Sequence, residues 1–186
     1  MNYLTLPLLL NKEIKILKEN LSSDNSAWED GKKTAGILAS KVKNNLQLNR
    51  DSDSSKINTG FIVKKLLTNS LIKSFALPKK IHGIMFTKSS KGMKYGRHVD
   101  NAYMSSGRAD LSFSIFLNKK NSYAGGELVI ENINTENKFK LNEGEIIIYP
   151  STYLHSVDEI TNGERLVCVG WIESYVKSIE EREYLF

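Results

Sequence analysis

Several things are scarce in this chain, and each shortage closes off a class of protein. A single cysteine, Cys168, stands among 186 residues, so no internal disulfide can form; that suits a reducing compartment, and the cytoplasm is the expected location. Its neighbours Leu166, Val167, Val169 and Trp171 read as a strand, which makes Cys168 a buried small hydrophobe and not a nucleophile. No apolar run approaches the roughly 18 residues of a bilayer-spanning helix, so no membrane contact is expected. Residues 1–10 are apolar, but they contain Pro7 and lack a basic n-region or a small-residue cleavage site. They read as an opening strand and not as a signal peptide. There is no long run of one charge either: the net charge of +5 is dispersed, with lysine pairs at 32–33, 64–65, 79–80 and 119–120. Dispersed lysines are solvated surface first, and without a nucleic-acid motif no nucleic-acid partner is expected. Internal repeats and low-complexity segments are absent, and Gly125-Gly126 precedes no helix, so it reads as a turn or bulge and not as a phosphate loop.

A hydrophobic content of 40% over this length fits one domain, residues 1–186, able to enclose a core and a buried site. Asn11 can cap a helix running to about residue 20, in which Ile14, Leu17 and Leu21 form one apolar stripe. After a turn at Asp30-Gly31, a second short helical face is expected from Ala35, Leu38, Ala39 and Val42. Residues 49–55 read as a polar surface loop. A longer helix is expected over residues 55–74, burying Phe61, Ile62, Leu66, Leu67, Leu71 and Ile72 and ending before Pro78. From Ile81 the texture changes to short strands and turns: 81–87, 94–99, 110–117, 127–131, 139–141, 145–149, 155–158 and 165–173. The fold class is therefore α+β: a double-sheet jelly roll over about 81–174, helical support over about 1–80, and a short C-terminal helix.

The stretch Tyr95-Gly96-Arg97-His98-Val99-Asp100-Asn101 puts an imidazole and a carboxylate two residues apart, on one face of an extended segment. His155 supplies a third ligand, and Arg165 follows ten residues later. His98, Asp100 and His155 make a two-histidine, one-carboxylate facial set, which leaves three coordination positions of Fe(II) open. His82 has no carboxylate at ligand spacing and reads as structural.

At these residues the chain resembles the Fe(II)- and 2-oxoglutarate-dependent dioxygenases, in their prolyl-4-hydroxylase-like branch of PKHD-type hydroxylases. Besides the ligands, the resemblance rests on Trp28-Glu29-Asp30-Gly31 with Thr34-Ala35-Gly36, Lys43-Asn44-Asn45-Leu46-Gln47-Leu48, residues 123–131 and residues 141–174. It implies a double-stranded β-helix and the cofactors Fe(II) and 2-oxoglutarate, with ascorbate as a further one. It also implies dioxygen as co-reactant, release of succinate and CO2, and hydroxylation of an unactivated C–H in a protein or peptide side chain such as proline. Arg165 lies where the family binds the distal carboxylate of 2-oxoglutarate, a bidentate pairing that suits a guanidinium. Tyr95 can donate a hydroxyl bond to the same cosubstrate, and Phe113, Ile115, Leu128, Val157 and Trp171 are expected as the apolar wall. Many of the family carry a tyrosine where this chain has Ser89.

Two other readings compete. A non-catalytic jelly roll holding Zn or Ni would not require Arg165, and a nucleic-acid or anionic-partner module would require a basic patch. Asp100 argues against the halogenating variants, in which chloride replaces the carboxylate. Arg97, Asn101 and Arg108 flank the metal motif and are candidate substrate contacts.

Overall fold

The computed structural model describes residues 3–23, 27–34, 36, 40–132 and 135–186. Strand β1 (Leu4–Pro7) is followed by helix α1 (Asn11–Ser22), β2 (Trp28–Asp30), a short 3-10 turn (Gly31–Thr34), β3 (Lys43–Asn44) and β4 (Leu46–Leu48). Helices α2 (Asp53–Thr68) and α3 (Ser70–Ala76) come next. Then follow β5 (Pro78–Ser90), β6 (Lys94–His98), β7 (Tyr103–Met104), β8 (Gly107–Arg108), β9 (Leu111–Phe116), β10 (Ala124–Gly125), β11 (Leu128–Glu131) and β12 (Glu136–Phe139). The chain closes with β13 (Glu145–Pro150), β14 (Leu154–Val157), β15 (Ile160–Asn162), β16 (Glu164–Ser174) and helix α4 (Ile179–Leu185).

The strands make a larger sheet in the order β1-β13-β9-β16-β5-β4-β2 and a smaller one in the order β12-β11-β14-β6-β3, with β7-β8 and β10-β15 as separate pairs. All pairings are antiparallel, and the two sheets form a jelly roll with the helices against the larger one. The N-terminal 80 residues do more than the expected helical support. β1 pairs with β13, β4 with β5, and β3 with β6, so early segments extend both sheets. Pro7 is tolerated because β1 is an edge strand, where a missing N–H leaves no ladder bond broken.

Helix α1 buries Ile14, Leu17 and Leu21 as the spacing predicts; each such side chain contributes about 1.5–3 kcal/mol on leaving water. Its cap falls at Leu10, whose N–H donates to the Glu13 carboxylate at 2.9 Å, and not at Asn11. The expected helix over 55–74 is two helices. Ser52 caps the first through Ser55 N–H at 3.2 Å, and Asn69 breaks the run by accepting from Ile72 N–H at 3.0 Å. The change of direction leaves Leu67 and Leu71 exposed, while Ile62, Leu66 and Ile72 stay buried. The second helical face expected at Ala35, Leu38 and Ala39 falls on residues outside the described ones.

Two apolar clusters result. One joins the helices to the outer face of the larger sheet through Phe86, Leu111, Phe113, Ile115, Ile148 and Cys168. The other lies between the sheets, from Phe116, Leu128, Ile130, Ile147, Tyr149 and Val167. The alternation in β9 and β16 therefore sorts each strand into a helix-facing and a cavity-facing row.

Candidate metal centre and its pocket

β6 ends at His98 and β14 begins beside His155, and the two histidines are direct cross-strand partners. Asp100 follows two residues beyond His98. One ligand atom from each of His98, Asp100 and His155 falls within 4.8 Å of the others. Both imidazoles are fixed in the same way: Nδ1 of His98 lies 2.8 Å from the Gly96 carbonyl and Nδ1 of His155 lies 2.9 Å from that of Tyr153. A carbonyl only accepts, so each Nδ1 carries the proton and each Nε2 presents a lone pair to the centre. The Nε2 atoms stand 3.9 Å and 3.8 Å from the Asp100 carboxylate. That carboxylate is aimed by two donors, Ser112 Oγ at 2.6 Å and Trp171 Nε1 at 2.9 Å, both to Oδ2. Burial, then the closeness of His155, pushes the His98 pKa well below the ordinary imidazole range. The ring is thus neutral at neutral pH, as a metal ligand must be. Tyr95 stacks on His98 at 3.7 Å between centroids, and Tyr149 meets His155 edge-on at 5.3 Å.

Trp171 reaches Asp100 because β5 carries an extra residue there. Gly83 has φ +64° and sits where the β5–β16 register shifts; a Cβ on it would lie 2.4 Å from Trp171 Cε3. Only glycine offers both that conformation and that clearance.

The centre opens into a cavity of about 500 Å³. Arg165 enters it from the start of β16 and is 4% exposed. Its Nε has no hydrogen-bond partner, and no carboxylate lies within ion-pair distance among the described residues. Tyr123 and Tyr149 are its near polar neighbours, and burial pulls its pKa down. The Phe116 ring lies 5.4 Å from its Cζ. A buried guanidinium with one N–H unpartnered and no carboxylate at ion-pair distance is costly, and an anion entering the cavity would satisfy it.

Of the expected wall, Leu128, Val157 and Trp171 border the cavity, as do Tyr95 and Ser89. Ile115 does not: it is fully buried in the helix-side cluster. Phe113 points the same way and touches the cavity only where Gly170 leaves it uncovered; a Cβ there would lie 2.6 Å from the ring. The face of β9 that meets the cavity is the polar one, Ser112 and Ser114. This corrects the expected orientation: the apolar row has the helices to pack against, so the serines are left for the site. His82 is structural, bonded to Ser106 Oγ at 2.8 Å and to the Arg108 carbonyl at 2.9 Å. Arg97 is engaged with Glu131 and Arg108 with Asp110, whereas Asn101 borders the cavity. Ser112, Tyr149 and Lys43 also border the cavity. For the first, the alternation along residues 110–117 was the available signal.

An antiparallel jelly roll with two histidines and one aspartate converging at its mouth is the architecture of a non-haem metal site with open coordination positions. The model of the 2OG-Fe(II) oxygenase superfamily matches residues 84–173. The chain is 72% identical over 186 residues to a PKHD-type hydroxylase of Prochlorococcus marinus (strain MIT 9215) and 71% identical to one of strain AS9601. In both cases all of this chain is covered and 84% of the relative. Among solved structures, a Pseudomonas putida prolyl-4-hydroxylase superposes with TM-score 0.66 at 15% identity, covering 94% of each chain. A prolyl hydroxylase from Trichoplax adhaerens, in complex with a hypoxia inducible factor oxygen degradation domain peptide fragment, gives 0.65 at 13%, covering 99% of this chain and 86% of that one. The chain belongs to the PKHD-type hydroxylases of the 2OG-Fe(II) oxygenase superfamily. Fe(II) and 2-oxoglutarate are the cofactors of that superfamily, and the His-Asp-His set fits the metal. No helix among the described residues is long and apolar enough to cross a membrane.

Proposed function

We propose that this chain hydroxylates an unactivated C–H of a protein or peptide side chain, with proline the leading candidate, while 2-oxoglutarate is converted to succinate and CO2. His98, Asp100 and His155 hold Fe(II), which when bound supplies the dioxygen chemistry. The backbone carbonyls of Gly96 and Tyr153 keep both imidazoles in the ligating tautomer. Ser112 and Trp171 keep one Asp100 oxygen occupied and leave Oδ1 for the metal. Arg165 takes the distal carboxylate of 2-oxoglutarate, and the Tyr95 phenol, held protonated by its burial, offers a further donor. Leu128, Val157 and Trp171 exclude water from the reacting end. Ascorbate, as a reductant, and a cytoplasmic setting belong to the same reading.

The observation that carries this is the buried Arg165 with no carboxylate at ion-pair distance among the described residues, in the cavity that the His98, Asp100 and His155 cluster opens into. The test is an anaerobic titration with Fe(II) and 2-oxoglutarate followed by admission of oxygen, for wild type, His98→Ala and Arg165→Ala. Wild type should show a metal-to-ligand charge-transfer band and form succinate even without substrate. His98→Ala should show neither, and Arg165→Ala should need far more 2-oxoglutarate. Metal binding without a band at saturating 2-oxoglutarate would mean that the metal is structural.

A further inference from the structure

The block Lys43-Asn44-Asn45-Leu46-Gln47-Leu48 is left over by this chemistry. Lys43, Asn45 and Gln47 alternate along β3 and β4, and all three are buried. Lys43 and Asn45 border the cavity. The Lys43 amine donates to Thr34 Oγ1 at 3.4 Å, and that hydroxyl donates to Gln47 Oε1 at 2.5 Å. It stands 5.4 Å from the Tyr95 ring centroid. A buried ammonium ordinarily has a carboxylate partner. Lys43 has none within ion-pair distance among the described residues, and Asp100 and Asp30 act on it only from further away. Arg50 reaches the same cavity from its exposed mouth and also lacks an acidic partner among the described residues. The charge of Arg50 adds to the cost of burying the Lys43 ammonium.

The remaining charges of the cavity are accounted for. Lys33 pairs with Glu29. The formal charges of Asp100 and a dicarboxylate cosubstrate are offset by a divalent metal and Arg165. Lys43 and Arg50 are therefore the uncompensated pair, the first buried in the cavity wall and the second exposed.

We propose that Lys43 and Arg50 form an anion subsite for a carboxylate of the substrate, so that the hydroxylated residue stands next to an acidic side chain or a free C-terminal carboxylate. The proposal rests on the hydroxylase reading and narrows its substrate to acidic peptides. Neither cation is among the metal ligands, so their effect is read on peptide binding, with 2-oxoglutarate affinity as the control.

The experiment loads the protein with redox-inert Mn(II) and saturating 2-oxoglutarate, which fills the Arg165 site, and titrates three N-acetylated peptides by calorimetry. These are glycyl-prolyl-glutamate amide, glycyl-prolyl-glutamine amide, and glycyl-prolyl-glutamine with a free C-terminus. One or both carboxylate-bearing peptides should bind roughly tenfold tighter than the neutral one, as a charge-assisted contact predicts, and which of them does so identifies the source of the carboxylate. Lys43→Met should abolish the preference with 2-oxoglutarate affinity unchanged, and Lys43→Arg, which keeps the charge, should retain it. Equal affinities for all three, or no measurable binding of any, overturns the proposal. So does a Lys43→Met protein that loses 2-oxoglutarate affinity yet keeps the preference. The hydroxylase reading fails separately, on a wild-type protein that does not take up 2-oxoglutarate in the loading step; the peptide preference is then still scored on the Mn(II) protein.

Discussion

Replacing Arg165 by methionine should make the ligand-free protein more stable and remove most of the stabilisation that 2-oxoglutarate confers. Arg165 is 4% exposed, its Nε is unpartnered, and burial already disfavours its charge. Exchanging an uncompensated buried charge for an apolar side chain of similar length is worth about 1–3 kcal/mol. At roughly 2–4 °C per kcal/mol for a chain of this size, Tm without ligand should rise by about 2–12 °C. Wild type should respond to ligand in the opposite sense. With Mn(II) present and 2-oxoglutarate at about a hundred times Kd, linkage adds about 2.7 kcal/mol. That is an upward shift of roughly 5–10 °C, and the variant should forfeit most of it. Thermal unfolding of both proteins with Mn(II), with and without 2-oxoglutarate, reads both effects in one plate. A variant that melts lower than wild type without ligand and keeps the whole 2-oxoglutarate shift would refute the assignment of Arg165 as an idle charge awaiting a carboxylate.

Lys43 gives a pH signature: burial, and then Arg50, lower its pKa from 10.5 to about 8. Between those values the unfolded chain binds more protons than the folded one, so the Lys43 contribution to stability rises with pH, by up to about 3 kcal/mol at 1.36 kcal/mol per unit. Lys43→Met should be the more stable protein at neutral pH and lose that advantage by about pH 10.5, and urea midpoints that run parallel in the two proteins would contradict this. Ser112→Ala removes one of the two donors that aim Asp100 and should weaken Mn(II) affinity by about 10–100-fold; an unchanged titration would show that Trp171 suffices. Gly83→Ala forces a Cβ to within 2.4 Å of the Trp171 ring at a positive φ. It should cost about 1–3 kcal/mol in urea unfolding and weaken Mn(II) binding as well, whereas a loss of stability with metal affinity intact would detach the bulge from the site.

The convergence of His98, Asp100 and His155 was legible because much of its signal is local: two side chains two residues apart in an extended segment share a face, whatever the rest of the fold does. The jelly roll was legible from the run of short strands after Ile81. What misled was the assumption that apolar means facing the cavity. In β9 both faces are buried, and polarity alone does not say which one meets the helices; the helices took Phe113 and Ile115, so the cavity received Ser112 and Ser114. The break at Asn69 was hidden for a related reason, since its flanks keep a helical apolar spacing and only the side-chain cap to Ile72 redirects the chain. Lys43 lies in a two-residue strand too short to show a period, and its role depends on Tyr95 and Arg50, neither of which is near it in a way that spacing reveals.

Both imidazoles at the centre are held by backbone carbonyl groups two residues back in the chain. The usual alternative is a second side chain, which a single codon change can remove. Here the hydrogen bonds that orient the two imidazoles involve no such side chain among the described residues. Substitutions in the cavity wall, Ser112 and Trp171 apart, can thus alter the space for a substrate while the protonation pattern of the two rings is inherited with the path of the chain itself.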